Sequence, residues 1–141
     1  MPSTSPISIL YFTALLGLVN TTLAFPPFTS TAPLSKRTAL SCNNGGGHYR
    51  PISEVQACVD YLFTKSNDDC VVIGDTTVFC QAGDTVITGS NTGKGGESSL
   101  CQDVAKGAQK IIDSCATPEG YVGGYNAAEG NGALIVSIHR R

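Results

Sequence analysis

Eight side chains of this sequence carry thiol or imidazole chemistry: six cysteines and two histidines. Cys42, Cys58, Cys70, Cys80, Cys101 and Cys115 contain no Cys-x-x-Cys pair, and neither histidine lies close to one of them in sequence. That spacing disfavours a zinc site, so no metal ligand is expected. An even number of cysteines in a short domain reads instead as a disulfide framework. His48 follows Gly45-Gly46-Gly47, and His139 precedes the Arg140-Arg141 end, where fraying is expected. Neither has a nucleophile in a recognisable setting, and no Gly-x-Ser-x-Gly elbow is present. Both read as surface histidines, and no catalytic residue is assigned. Asp68-Asp69 point apart on an extended segment and read as a helix-end turn, not as a glycosidase carboxylate pair. Gly93-Lys94-Gly95-Gly96 resembles a phosphate loop but lacks its spacing and its Ser/Thr after the lysine, so no cofactor is expected.

Whether thiols become disulfides depends on where the chain goes. Residues 6–19 form an apolar run of about 14 residues, shorter than the roughly 20 a membrane span needs. Thr22-Leu23-Ala24 then places small side chains three and one residues before Phe25, the pattern of a signal peptide cut after Ala24. Residues 25–37 carry three prolines and end at Lys36-Arg37, so they read as a pro-segment with a dibasic processing site. This predicts a leader (1–24), a pro-segment (25–37) and one domain (38–141), released where disulfides persist. The domain has 104 residues, with seven Lys and Arg against eleven Asp and Glu, a net charge of −4. That balance argues against nucleic acid or an anionic membrane as partner. No second apolar run predicts stable membrane insertion, and nothing in the chain sets an oligomeric state.

The elements that hold the cysteines follow from periodicity. Val55, Cys58, Val59, Leu62 and Phe63 form one helical stripe, with Ser53 and Gln56 in a capping-box pattern. A second helix is expected from Ser98 or Ser99, burying Cys101, Val104, Ala105, Ala108, Ile111, Ile112 and Cys115. Between them the period is two. Residues 70–73 and 76–80 read as a hairpin turning at Gly74-Asp75, and 85–88 as the third strand of a meander. Residues 133–138 form a last strand, and 39–42 an edge strand. The expectation is an α+β fold, a small disulfide-stapled sandwich with two helices on one face of a mostly antiparallel four- to five-stranded sheet.

Six cysteines allow fifteen pairings. Cys101 and Cys115 lie about 21 Å apart along one helix, too far to join. In the expected hairpin Cys70 and Cys80 face opposite sides of the sheet, which disfavours that pair. Ten schemes remain, and Cys58 is expected to meet a cysteine of the meander.

The cysteine-bearing helix 101–115, the Gly-Gly-Tyr-Asn and Gly-Asn-Gly turns at 123–126 and 130–132, and the apolar terminal strand resemble the killer-toxin-like α/β-sandwich group. That group contains a smut killer toxin and several effector families of plant-pathogenic fungi. The resemblance covers residues 50–138 by order of elements. It implies an exported, cysteine-rich fungal protein that acts by protein recognition as a virulence-associated effector. A killer-toxin-like antimicrobial and a small extracellular hydrolase are the alternatives. The partner would then be a host or competitor protein, met in the host apoplast in the plant case. Three loop regions are expected to carry recognition, at 43–50, 90–98 and 120–132. They hold His48, Tyr49, Lys94, Tyr121, Tyr125, Asn126 and Asn131.

Overall fold

A computed structural model describes residues 38–42, 48–93 and 95–141. Ala24, Lys36, Arg37, loop residues 43–47 and Lys94 lie outside them. The element order is β1 (Arg50–Pro51), α1 (Ile52–Thr64), β2 (Asp69–Val72), β3 (Thr76–Ala82), β4 (Thr85–Asn91), β5 (Glu97–Leu100), α2 (Cys101–Cys115), β6 (Tyr121–Val122), β7 (Gly124–Ala128) and β8 (Asn131–Arg140). The main sheet is antiparallel in the order β3-β4-β8-β7, and β2-β5 and β1-β6 form two short ladders. Both helices pack on the sheet, α1 against β3 and β4 and α2 against β7 and β8. This is the expected α+β architecture.

The helices bury the stripes that their spacing gives them. Val55, Cys58, Val59 and Leu62 of α1 meet Val104, Ala105, Ala108 and Ile111 of α2 over Ile87, Leu134, Val136 and Ile138 of the sheet. Phe63 departs from expectation and is 40 % exposed. At about 100° per residue it lies some 80° from the line through Val55, at the margin of the stripe. Gly107 sets the closeness of α2 to the sheet, since a Cβ there would lie 2.9 Å from the carbonyl oxygen of Ala127.

The predicted capping box does not form. No side chain caps α1 or α2. Backbone carbonyls far away in sequence accept the first amides instead. Ile52 N–H donates to Gly120 O at 3.0 Å, Cys101 N–H to Asp68 O at 2.9 Å and Gln102 N–H to Ser66 O at 3.3 Å. The orphan donors of each helix start are thus met by tertiary contact, not by a local hydroxyl. The second helix begins at Cys101 and not at Ser98 or Ser99, because residues 97–100 spend their backbone on β2.

The 70–73/76–80 hairpin is also corrected. Cys70 pairs with Ser99 and Val72 with Glu97, while β3 pairs only with β4. Alternation marks 69–72 as a strand but cannot name its partner; the Cys70–Cys101 disulfide holds it beside β5. The Gly-rich passage 120–132 is mostly β6, β7 and the start of β8, not loop. The expected edge strand at 39–42 reduces to one bridge, Ser41 to Tyr125.

Three disulfides close all six cysteines: Cys42–Cys115, Cys58–Cys80 and Cys70–Cys101. Cys58 does meet a meander cysteine, and neither excluded pair forms. The ground given for separating Cys70 from Cys80 fails with the hairpin, since Cys70 is drawn to the start of α2.

Candidate recognition surfaces

One transverse row crosses the sheet face turned away from the helices: Val78, Thr88, Ser137 and Tyr125, one residue from each strand. His139 follows two residues after Ser137 on the same face. It is not at a frayed end, for it pairs with Val86 in the ladder. Its Nδ1 lies 2.7 Å from the carbonyl oxygen of Arg140, and its Nε2 lies 3.0 Å from Thr88 Oγ1. A carbonyl only accepts, so Nδ1 carries the proton and Nε2 accepts from the Thr88 hydroxyl. A hydroxyl, an imidazole and an orienting acceptor are therefore aligned. The hydroxyl is nevertheless shut in, since Thr88 is 4 % exposed. A shallow cavity of about 240 Å³ beside it is lined by His48, Tyr125, Ser137 and His139.

A larger cleft of about 600 Å³ lies where the 38–40 segment passes α2 and the β7–β8 turn. Asn126, Lys110, Asp113 and Glu129 line it, and Lys110 pairs with Glu129 across it. Glu119, in the exposed turn before β6, is held below the usual carboxylate range by the Thr117 hydroxyl and then by its own backbone amide.

The third surface is a groove of about 460 Å³ between α1 and β3, lined by Ala57, Tyr61, Phe79, Cys80, Gln81 and Ala82. Ala57 and Tyr61 are one turn apart on α1 and present the same face. The Cys58–Cys80 disulfide ties the two walls together. Phe79 is the bulged residue of β3, because the register shifts between Val78 and Cys80. Its ring covers Gly89, where a Cβ would lie 2.3 Å from it. Lys65 Nζ stands 5.8 Å from the centre of the Tyr61 ring.

The expected recognition residues divide among these places. His48 and Tyr125 come together at the shallow cavity, joined by Ser137 and His139, which sequence reasoning did not select. Asn126 faces the larger cleft, with Nδ2 3.5 Å from Gly107 O. Asn131 lines the same cleft and braces the fold, bonding Glu97 Oε2 at 3.1 Å and Ser98 O at 2.8 Å. Tyr121 lies opposite Pro51 in the β1-β6 ladder, and Tyr49 is exposed just before β1. The α1–β3 groove was missed altogether. Its only sequence signal is a seven-residue strand, 76–82, without a charge or a proline.

Among the described residues no helix is long and apolar enough to cross a membrane, and no group of three or more His, Cys, Asp or Glu gathers as a metal site. Fold and bridges define a small, cysteine-rich, disulfide-stapled α+β protein. The chain belongs to the family described as a domain of unknown function, DUF8794, whose model matches residues 37–140. No curated protein and no solved structure matches it.

Proposed function

We propose that this protein is exported and acts as a non-enzymatic effector, recognising a protein of a host organism through its surface. The observation that carries the reading is the closure of all six cysteines into three bridges in a chain whose first 37 residues read as leader and pro-segment. Such bridges persist outside reducing compartments, and they stiffen a thin core so that its surface keeps one shape. The domain's charge of −4 favours a neutral or basic protein partner over nucleic acid. Purified disulfide-bonded protein infiltrated into leaves of candidate hosts should provoke or suppress a visible response at micromolar dose. A deletion strain as virulent as its parent, together with leaves that stay unchanged, would end the reading. Inhibition of competing yeasts and moulds in place of a leaf response would favour the antimicrobial alternative.

A second reading, a small hydrolase, draws on the Thr88–His139–Arg140 alignment beside Ser137. It requires turnover of ester, glycan or peptide substrates that His139→Ala abolishes and His48→Ala reduces. Turnover unaffected by either change, or none at all, removes it.

A further inference from the structure

The two edges of the main sheet are finished differently. At β7, Ser41 and Tyr125 exchange two backbone hydrogen bonds, each 2.9 Å, so the edge is occupied. At β3, no backbone–backbone hydrogen bond among the described residues leads outward from 76–82; its ladder partner is β4, and Ile73 N–H donates to the Thr77 hydroxyl at 3.3 Å. Exposed strand edges are usually blunted by lysine, proline or inward charge. Residues 76–82 are Thr-Thr-Val-Phe-Cys-Gln-Ala, with none of these. The bulge at Phe79 is the only such device present. Val78 is 56 % exposed, and the neighbouring Ile73 is 82 % exposed.

Beside this edge runs the α1–β3 groove. A strand edge lying next to a helix, with an apolar pocket between them, suits one mode of recognition. An extended segment adds to the sheet by main-chain hydrogen bonds and drops alternate side chains into the pocket. The groove's 460 Å³ is ample for a Val, Leu or Tyr side chain. Its walls are apolar or aromatic at Ala57, Tyr61, Phe79 and Ala82, so the inserted side chain must be apolar. Electrostatics narrows the occupant further. The strand carries no charge; Glu54, held near Gly83 by its bond to Thr85 Oγ1, stands at one end of the wall, and Lys65, beside the Tyr61 ring, is paired with Asp68 at 3.8 Å. The domain as a whole is acidic. An acidic segment would be repelled, and a second copy would bring a second net negative body to the edge.

We propose that the β3 edge and the α1–β3 groove bind an extended, neutral to basic segment of another protein, paired as an added strand with apolar side chains at alternate positions. This rests on the recognition reading and names its surface. The test uses synthetic ten-residue peptides with Val or Tyr at alternate positions and Thr, Lys or Glu between them, titrated against the disulfide-bonded protein. The Thr and Lys series should bind, and the Glu series at least tenfold more weakly. Amide exchange should slow within 76–82 on binding. Val78→Lys, which blunts the edge, and Tyr61→Ala, which opens the groove wall, should each weaken binding at least tenfold with folding intact by near-ultraviolet circular dichroism. The two lie on different elements, so loss of folding in one leaves the other to decide, and the ranking of the peptide series needs neither.

Failure of all three series to bind overturns the proposal. So does binding that both folded variants leave unchanged, or exchange in 76–82 that slows only as protein concentration rises, which assigns the edge to a second copy. A leaf response retained by Val78→Lys sinks this proposal and leaves the effector reading standing. No response from the unaltered protein sinks that reading whatever the peptides do.

Discussion

The β7 edge and the β3 edge belong to one sheet, yet one is locked and the other left open. Ser41 is bonded to Tyr125, and the next residue, Cys42, is covalently tied to Cys115 at the end of α2. Gly124 makes the approach possible: a Cβ there would lie 2.4 Å from Ser41 O, and its φ of 146° is one that side chains resist. The β3 edge has a disulfide too, but Cys58–Cys80 fastens the strand to α1 from the helix side, and among the described residues no backbone bonds its outer edge. Rigidity is invested where the chain must hold itself together. The edge left unpaired among the described residues is the one proposed above to take a partner.

The difference can be broken from either side. The largest effect is expected at the locked edge. Replacing Cys42 and Cys115 by Ser should cost about 4 kcal/mol, since their separation is 73 residues. Replacing Cys58 and Cys80, 22 residues apart, should cost about 1 kcal/mol less by the same loop-length dependence. Guanidinium unfolding of the two double variants measures both, and equal losses would show that the β7 lock contributes no more than the α1–β3 bridge.

Gly124→Ala should destabilise by about 1–3 kcal/mol, since the methyl group must displace the Ser41 carbonyl. It should also speed amide exchange at Tyr125. A wild-type melting temperature would mean that Ser41 does not hold this edge.

Val78→Lys, on the open edge, should change stability by no more than about 0.5 kcal/mol. A substantially larger loss would show that the β3 edge is part of the fold's own packing.

The smallest effect concerns pH. Glu119 lies below the usual carboxylate range, so its hydrogen bonds favour the charged form. Their contribution is present above the ordinary carboxylate value of 4.5 and is lost as pH falls through the lowered one. Thr117→Val should move the Glu119 titration upward, read by carboxyl chemical shifts, with little change in either sheet edge.

Much of this arrangement was written in local pattern. The 3.6-residue stripes name the buried faces of both helices, and alternation with a terminal apolar run places β4 and β8. That Cys58 meets a meander cysteine follows from a helix stripe facing the meander, but the choice of Cys80 over Cys70 does not. What sequence could not supply is pairing over distance. Alternation marks 69–72 as a strand but gives no reason to choose β5, 25 or more residues on, over the adjacent β3. The helix starts at Ile52 and Cys101 are invisible to capping rules, because Gly120, Asp68 and Ser66 supply the acceptors through tertiary contact. Gly123-Gly124 read as a turn, whereas Gly124 is a strand residue that must lack a side chain. His139 and Thr88 meet only through the β4–β8 register. The open edge left the faintest trace, since an uncharged strand of seven residues looks the same whether it is central or at a margin.

Amide exchange in the free protein compares the two edges most directly. Tyr125 should exchange slowly, on the timescale of global unfolding, while the outward-facing amides of 76–82 exchange at least a hundredfold faster. Uniformly slow exchange throughout 76–82 at low protein concentration would mean that the β3 edge is already covered, and would contradict the contrast between the two edges.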